Sequence, residues 1–189
     1  MNSHEVSSDR SDGPVVGCLS SYVPRELLYS LDCTPVRVWP KAAKPTAAEA
    51  YLPRNFCSLS KLVLATFLEA EPPHLEAAIF TDEDDATRRL HDVWVSCVKV
   101  PVWGFLEAPR STSSLAVSRF TGLLTGLARD LEQRTGQLLS VRRLRAAMTV
   151  YREQRRLLAE LKRRWPGGKD HNKSQEATDK GLAGCMWRA

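Results

Sequence analysis

The chain has 189 residues, of which 43% are hydrophobic and 26% charged, a composition typical of one globular domain with appended segments. No apolar run reaches the ~20 residues of a membrane span, and the first residues lack a signal-peptide pattern, so we expect a cytoplasmic protein without a membrane partner. The net charge of +5 does not indicate a domain-wide patch for nucleic acid, because nine Arg or Lys and two Glu fall in residues 141–164 alone. The five cysteines contain no Cys-x-x-Cys pair, so neither a disulfide framework nor a zinc ribbon is indicated.

The first half of the chain alternates between short apolar runs and helical patterns. Residues 1–13 are polar and predict a disordered leader. Strands are predicted at 15–19, 36–39, 75–80 and 97–102, and helices at 25–31, after an N-cap at Asn55, and at 84–95. This alternation predicts right-handed crossovers and a mostly parallel sheet with flanking helices, that is, an α/β domain over residues 14–110.

The second half of the chain predicts two long helices. Apolar stripes run from Val117 to Leu131 and from Leu144 to Leu161, with a break at Gly136, and they predict a helical hairpin over residues 111–165. The polar remainder, 166–189, predicts a disordered tail. Because a half-wound α/β sheet normally continues, the chain is also interpreted as a truncated or frameshifted product.

The best candidate site lies between residues 53 and 85. Cys57 falls at the second position of a predicted helix, and an acidic run follows the third predicted strand. Open α/β sheets bind their ligands in the crevice outside the carboxyl ends of the strands. A helix N-terminus favours the thiolate of Cys57, as a metal ligand requires, whereas the alternative is a small buried hydrophobic residue.

Three other features each have two interpretations. The acidic residues 82–85 could bind a divalent cation or cap the following helix. Ser20, Ser21 and Glu26 follow the first strand and could touch a substrate, although Glu26 also suits the first turn of a helix. The basic run at 141–164 could contact phosphates or form a solvated helix face, and since aromatic residues are not interleaved with it, nucleic acid is not an expected partner.

Three segments share their order and residue types with one known family. They are Val16-Gly-Cys-Leu-Ser-Ser-Tyr-Val-Pro-Arg-Glu-Leu, Phe56-Cys57-Ser58-x-x-Lys61, and Ile79-Phe-Thr-Asp-Glu-Asp-Asp. Together they resemble the N-terminal portion of the 2-hydroxyacyl-CoA dehydratase D-component family, which is related to benzoyl-CoA reductase subunits. In this resemblance Cys57 stands at the first cluster cysteine, and Glu83 stands where members usually carry the second.

The resemblance implies a function as well as a fold. It implies a lyase of anaerobic metabolism that removes water from an acyl-CoA thioester by reductive, radical chemistry, with a four-iron four-sulfur cluster, a second dehydratase-type subunit and an ATP-dependent activator protein. Cys57 would be the metal ligand of this chain. The chain is therefore interpreted as a subunit or fragment of such an enzyme that is not active alone. The alternative is a non-catalytic partner that docks a full-length homologue.

Overall fold

A computed structural model describes residues 13–42, 44–69 and 74–164 of the chain. The predicted tail and all but the last residue of the predicted leader lie outside the described residues. The chain divides into two compact units, Met1–Leu144 and Arg145–Ala189. None of the described helices combines the length and the apolar character needed to cross a membrane.

The first unit contains a four-stranded parallel sheet with the strand order β2-β1-β3-β4. The strands are β1 Val15–Cys18, β2 Thr34–Arg37, β3 Ala77–Asp82 and β4 Val102–Glu107. The α-helices of the described chain are α1 Arg25–Ser30, α2 Ser58–Glu69, α3 Asp85–Cys97, α4 Ser114–Thr135 and α5 Val141–Arg164, and one 3-10 helix spans Ala47–Ala50. The predicted α/β fold with a mostly parallel sheet is confirmed.

Both faces of the sheet are covered by helices, as a parallel sheet requires. Every residue of β3 is buried, which accounts for the apolar run at 77–80 that precedes Thr81 and Asp82. One core cluster joins β1 and β3 to α1 and to the Leu127–Leu131 turn of α4, and a second cluster joins β3 to α2 and α3. The sheet is therefore the middle layer of three.

The predicted fourth strand is present, but its predicted position, 97–102, is wrong. Helix α3 continues through Cys97, and the indole Nε1 of Trp94 donates to the Val100 carbonyl at 2.9 Å in the segment between α3 and β4. The strand β4 begins at Val102 instead. Gly104, which the sequence placed in a loop, lies within β4. A Cβ there would come 2.8 Å from Leu127 Cδ1, so glycine permits the close packing of α4 on the strand.

The two predicted long helices are present as α4 and α5. Gly136 ends α4 in the left-handed conformation with φ 68°, which favours glycine. The described part of the second unit is the helical stretch 145–164, whose arginines are exposed. Within this stretch Arg156 pairs with Glu153 and Glu160, and Arg164 also pairs with Glu160. These pairs are typical of a solvated helix face.

Candidate functional site

A cavity of about 110 Å³ opens near the carboxyl ends of the parallel strands. Strand β2 pairs with one edge of β1, and β3 pairs with the opposite edge. The direction in which strands are added to the sheet therefore reverses between β1 and β3. Open α/β sheets bind ligands at such a switch point. The cavity is lined by Leu19, Arg37, Val38, Trp39, Cys57, Leu59, Ser60, Val63, Glu83, Asp84, Thr87 and Leu90.

Cys57 lies at the N-terminus of α2, but the helix begins later along the chain than the sequence predicts. The helix begins at Ser58, and the Lys61 amide donates to the Cys57 carbonyl at 3.1 Å, so Cys57 itself is the N-cap residue. Asn55, the predicted N-cap, lies in a turn closed by a 3.0 Å bond from the Phe56 amide to the Pro53 carbonyl. Cys57 is exposed.

The surroundings of Cys57 favour its thiolate. Hydrogen bonding from Ser60, through its backbone N–H and its hydroxyl, and from the Leu59 backbone N–H lowers the pKa of Cys57. Partial burial and the nearby Asp84 carboxylate act in the opposite direction. The sulfur therefore takes the role that Ser, Asp or Asn oxygens usually take at a helix N-cap.

We expect Cys57 to be the most reactive of the described cysteines. Burial raises the pKa of Cys18 to about 12 and that of Cys33 to about 11, so at pH 8 the Cys18 thiolate fraction is on the order of one in ten thousand. Brief alkylation of the native chain with iodoacetamide, followed by peptide mass spectrometry, should label Cys57 and leave Cys18 and Cys33 unlabelled. Labelling of Cys18 or Cys33 before Cys57 would contradict these environments.

Ser20 connects the ends of β1 and β3. Its hydroxyl donates to Glu83 Oε2 at 2.7 Å and accepts hydrogen bonds from the Thr81 hydroxyl and, at 3.0 Å, from the Tyr22 amide. Ser20 and Thr81 are both buried. Because the single hydroxyl proton of Ser20 is directed to Glu83, the carboxylate is held as an acceptor at the cavity edge.

The acidic run caps the next helix, as one interpretation of the sequence predicted. Asp84 is the N-cap of α3 and accepts a 2.7 Å hydrogen bond from the Thr87 amide, while Asp82 pairs with Arg88. The cation interpretation of this run has no comparable support. Within the described ranges, no three His, Cys, Asp or Glu side chains converge in a way that could hold a metal ion.

Two substitutions of Asp84 should separate its capping role from its charge. Asp84→Ala is expected to lower the free energy of unfolding by about 1 kcal/mol, whereas Asp84→Asn keeps an acceptor and should cost less. Both changes remove the carboxylate that raises the pKa of Cys57, so both should speed the alkylation of Cys57 at pH 7. Urea unfolding and alkylation rates measure the two effects, and an unchanged rate in both variants would exclude the electrostatic coupling.

The remaining candidate residues lie at the same edge of the sheet. Ser21 accepts a 2.9 Å hydrogen bond from Arg37, whose guanidinium lies 5.7 Å from the Trp39 ring centroid. Glu26 lies in the first turn of α1, as its second interpretation predicted. Sequence reasoning did not single out Arg37 or Trp39 as cavity residues, although both stand at the end of a predicted strand.

The described residues do not build a complete cage for the implied cluster. A four-iron four-sulfur cluster takes thiolate ligands, and Cys57 is the one described cysteine that lines the cavity. Glu83, at the position of the expected second cysteine, offers a hard oxygen that already accepts from Ser20. The donor set here fits one ligand of such a cluster and no more.

Comparison with known proteins confirms the family that the sequence motifs resemble. The family model described as 2-hydroxyglutaryl-CoA dehydratase, D-component, matches residues 20–165. The (R)-phenyllactyl-CoA dehydratase beta subunit of Clostridium sporogenes is 23% identical over 156 residues, a match that covers 80% of this chain and 42% of the relative. The chain thus spans less than half the length of this relative. It belongs to the 2-hydroxyglutaryl-CoA dehydratase D-component family.

Proposed function

We propose that the chain is a subunit of a 2-hydroxyacyl-CoA dehydratase-type lyase and that Cys57 contributes one thiolate to a four-iron four-sulfur cluster. The single observation that carries this proposal is the exposed Cys57 sulfur, which caps α2 beside the cavity and has a lowered pKa. The other cluster ligands would come from outside the described residues, chiefly from a second dehydratase-type subunit. The substrate class would be an acyl-CoA thioester, and the electron donor an ATP-dependent activator protein.

The exposed side chains at the cavity rim support the proposal that another chain covers the cavity. Trp39 and Leu59 line the cavity, yet 46% and 48% of their surfaces are exposed. Large apolar side chains beside an incomplete donor set are typical of a surface that another chain covers. A second subunit over this rim would bury both side chains and bring further ligands to Cys57, so one binding event would complete the site.

Anaerobic reconstitution tests this proposal. The chain is incubated with iron and sulfide, alone and after co-expression with a second dehydratase-type subunit, and bound iron, acid-labile sulfide and visible absorbance are measured. We expect a brown complex in the presence of the partner and little bound iron without it. A colourless, iron-free product from both preparations would sink the proposal.

A second candidate function is a non-catalytic partner that docks a full-length homologue. Glu83 favours this alternative, because a carboxylate held by Ser20 stands where a cluster thiolate is expected. On this view the chain should bind the homologue with the same affinity whether or not Cys57 is replaced by alanine. Light scattering can measure this association, and a chain that stays monomeric at micromolar concentration with the homologue present would argue against docking.

A further inference from the structure

Lys61 is a buried cation that the proposed function does not use. It is only 6% exposed, and its Nζ donates to the Arg54 carbonyl at 2.9 Å. Lysines are almost never buried to this degree without a partner for the ammonium group. The partner here is a backbone carbonyl of the turn that leads into Cys57.

The side chain of Lys61 connects the two sides of Cys57. Arg54 lies in the turn before Cys57, which the bond from the Phe56 amide to the Pro53 carbonyl closes. Lys61 lies in the first turn of α2, after Cys57, and its own amide donates to the Cys57 carbonyl. Lys61 therefore connects the turn before Cys57, Cys57 itself and the first turn of α2.

We propose that Lys61 is a positioning residue for Cys57, because its buried ammonium fixes the Arg54 carbonyl and so sets how the chain enters α2. The direction of entry decides whether the Cys57 sulfur reaches the Leu59 and Ser60 donors at the helix N-terminus. This inference deepens the proposed function, since it takes Cys57 as the reactive group of the site.

The role depends on the donor at the end of the Lys61 side chain. Lys61→Met keeps an unbranched apolar stem but leaves the Arg54 carbonyl without its donor. Lys61→Arg keeps both a cation and a donor. Arginine should therefore restore the geometry around Cys57, and methionine should not.

The test measures the alkylation rate of Cys57 in the iron-free chain at pH 7, together with hydrogen exchange of the Phe56 amide. We expect Lys61→Met to slow alkylation by about threefold or more, because the turn before Cys57 loses its anchor at the Arg54 carbonyl and the sulfur is displaced from the start of α2. The Phe56 amide should exchange faster in this variant. Lys61→Arg should stay close to the wild-type chain in both measurements.

Thr66→Val is the matched control on the same helix. Thr66 is buried and its Oγ1 accepts from the Lys41 and Ala42 amides, so its loss should weaken a different loop. The control should lower stability without slowing the alkylation of Cys57. Lys61→Gln, whose amide is too short to reach the Arg54 carbonyl, replaces Lys61→Met if the latter does not fold, with the same expected slowing.

An unchanged Cys57 rate in the variant that removes the donor would overturn the proposal, as would an equal slowing in Thr66→Val. The measurement requires no iron and no partner. A failed cluster reconstitution and a failed positioning role are therefore separate results.

Discussion

Replacing Trp94 with alanine is expected to lower the free energy of unfolding by about 3–5 kcal/mol. Trp94 is fully buried in the core between β3 and the helices α2 and α3. Its ring centroid lies 4.5 Å from that of Phe67 and 5.5 Å from that of Phe80. The substitution removes both aromatic contacts and the hydrogen bond that anchors Val100, so the expected loss combines a cavity with an unpaired carbonyl.

Trp39→Ala is the matched control for this prediction, because Trp39 is half-exposed. Its loss removes a partly solvated ring and an arginine contact, and we expect the free energy of unfolding to fall by about 1 kcal/mol or less. Urea unfolding followed by circular dichroism measures both variants. Equal losses in the two variants would contradict the assignment of Trp94 to the core.

Replacing Ser20 with alanine should have the second largest effect, a loss of about 2 kcal/mol or more. The buried Ser20 hydroxyl serves three groups at once: the Thr81 hydroxyl, the Tyr22 amide and the Glu83 carboxylate. Alanine removes the acceptor of two donors, and the buried Thr81 hydroxyl would carry the desolvation penalty of a donor without a partner. The variant should also free the Glu83 carboxylate from its fixed position.

The adjacent Ser21 provides the control. Ser21 is exposed and bonds to the exposed Arg37, so Ser21→Ala is expected to change the free energy of unfolding by about 0.5 kcal/mol or less. Comparing the urea midpoints of the two alanine variants tests the network directly. A Ser20→Ala chain as stable as Ser21→Ala would mean that the Ser20 hydroxyl network contributes no stability.

The sequence was sufficient to predict the fold class, because apolar periodicity and proline positions mark most elements. The exact strands were harder to place. The strand predicted at 36–39 is observed as Thr34–Arg37, and that predicted at 75–80 as Ala77–Asp82. The fourth strand was misplaced because its start depends on side-chain contacts, such as the Trp94–Val100 hydrogen bond and the close approach at Gly104, which periodicity does not reveal.

The candidate site was predicted in part. The position of Cys57 beside the acidic run that follows the third strand can be predicted from the order of helix and strand along the chain. The bond between Ser20 and Glu83 joins residues 63 positions apart, and it depends on β1 and β3 being neighbours in the sheet. The burial of Lys61 could not be predicted either, since a lysine in a first helical turn is ordinarily solvated.

The most direct test of the account is the iron content of the complex between this chain and a second dehydratase-type subunit when Cys57 is replaced. The Cys57→Ala variant is compared with the Cys97→Ala variant. Cys97 is a half-buried cysteine at the end of α3 that donates to the Val93 carbonyl. Both complexes are reconstituted anaerobically, and iron, sulfide and visible absorbance are measured per complex. Our account expects Cys57→Ala to lose the iron that Cys97→Ala retains. Full iron and unchanged absorbance in the Cys57→Ala complex would contradict it.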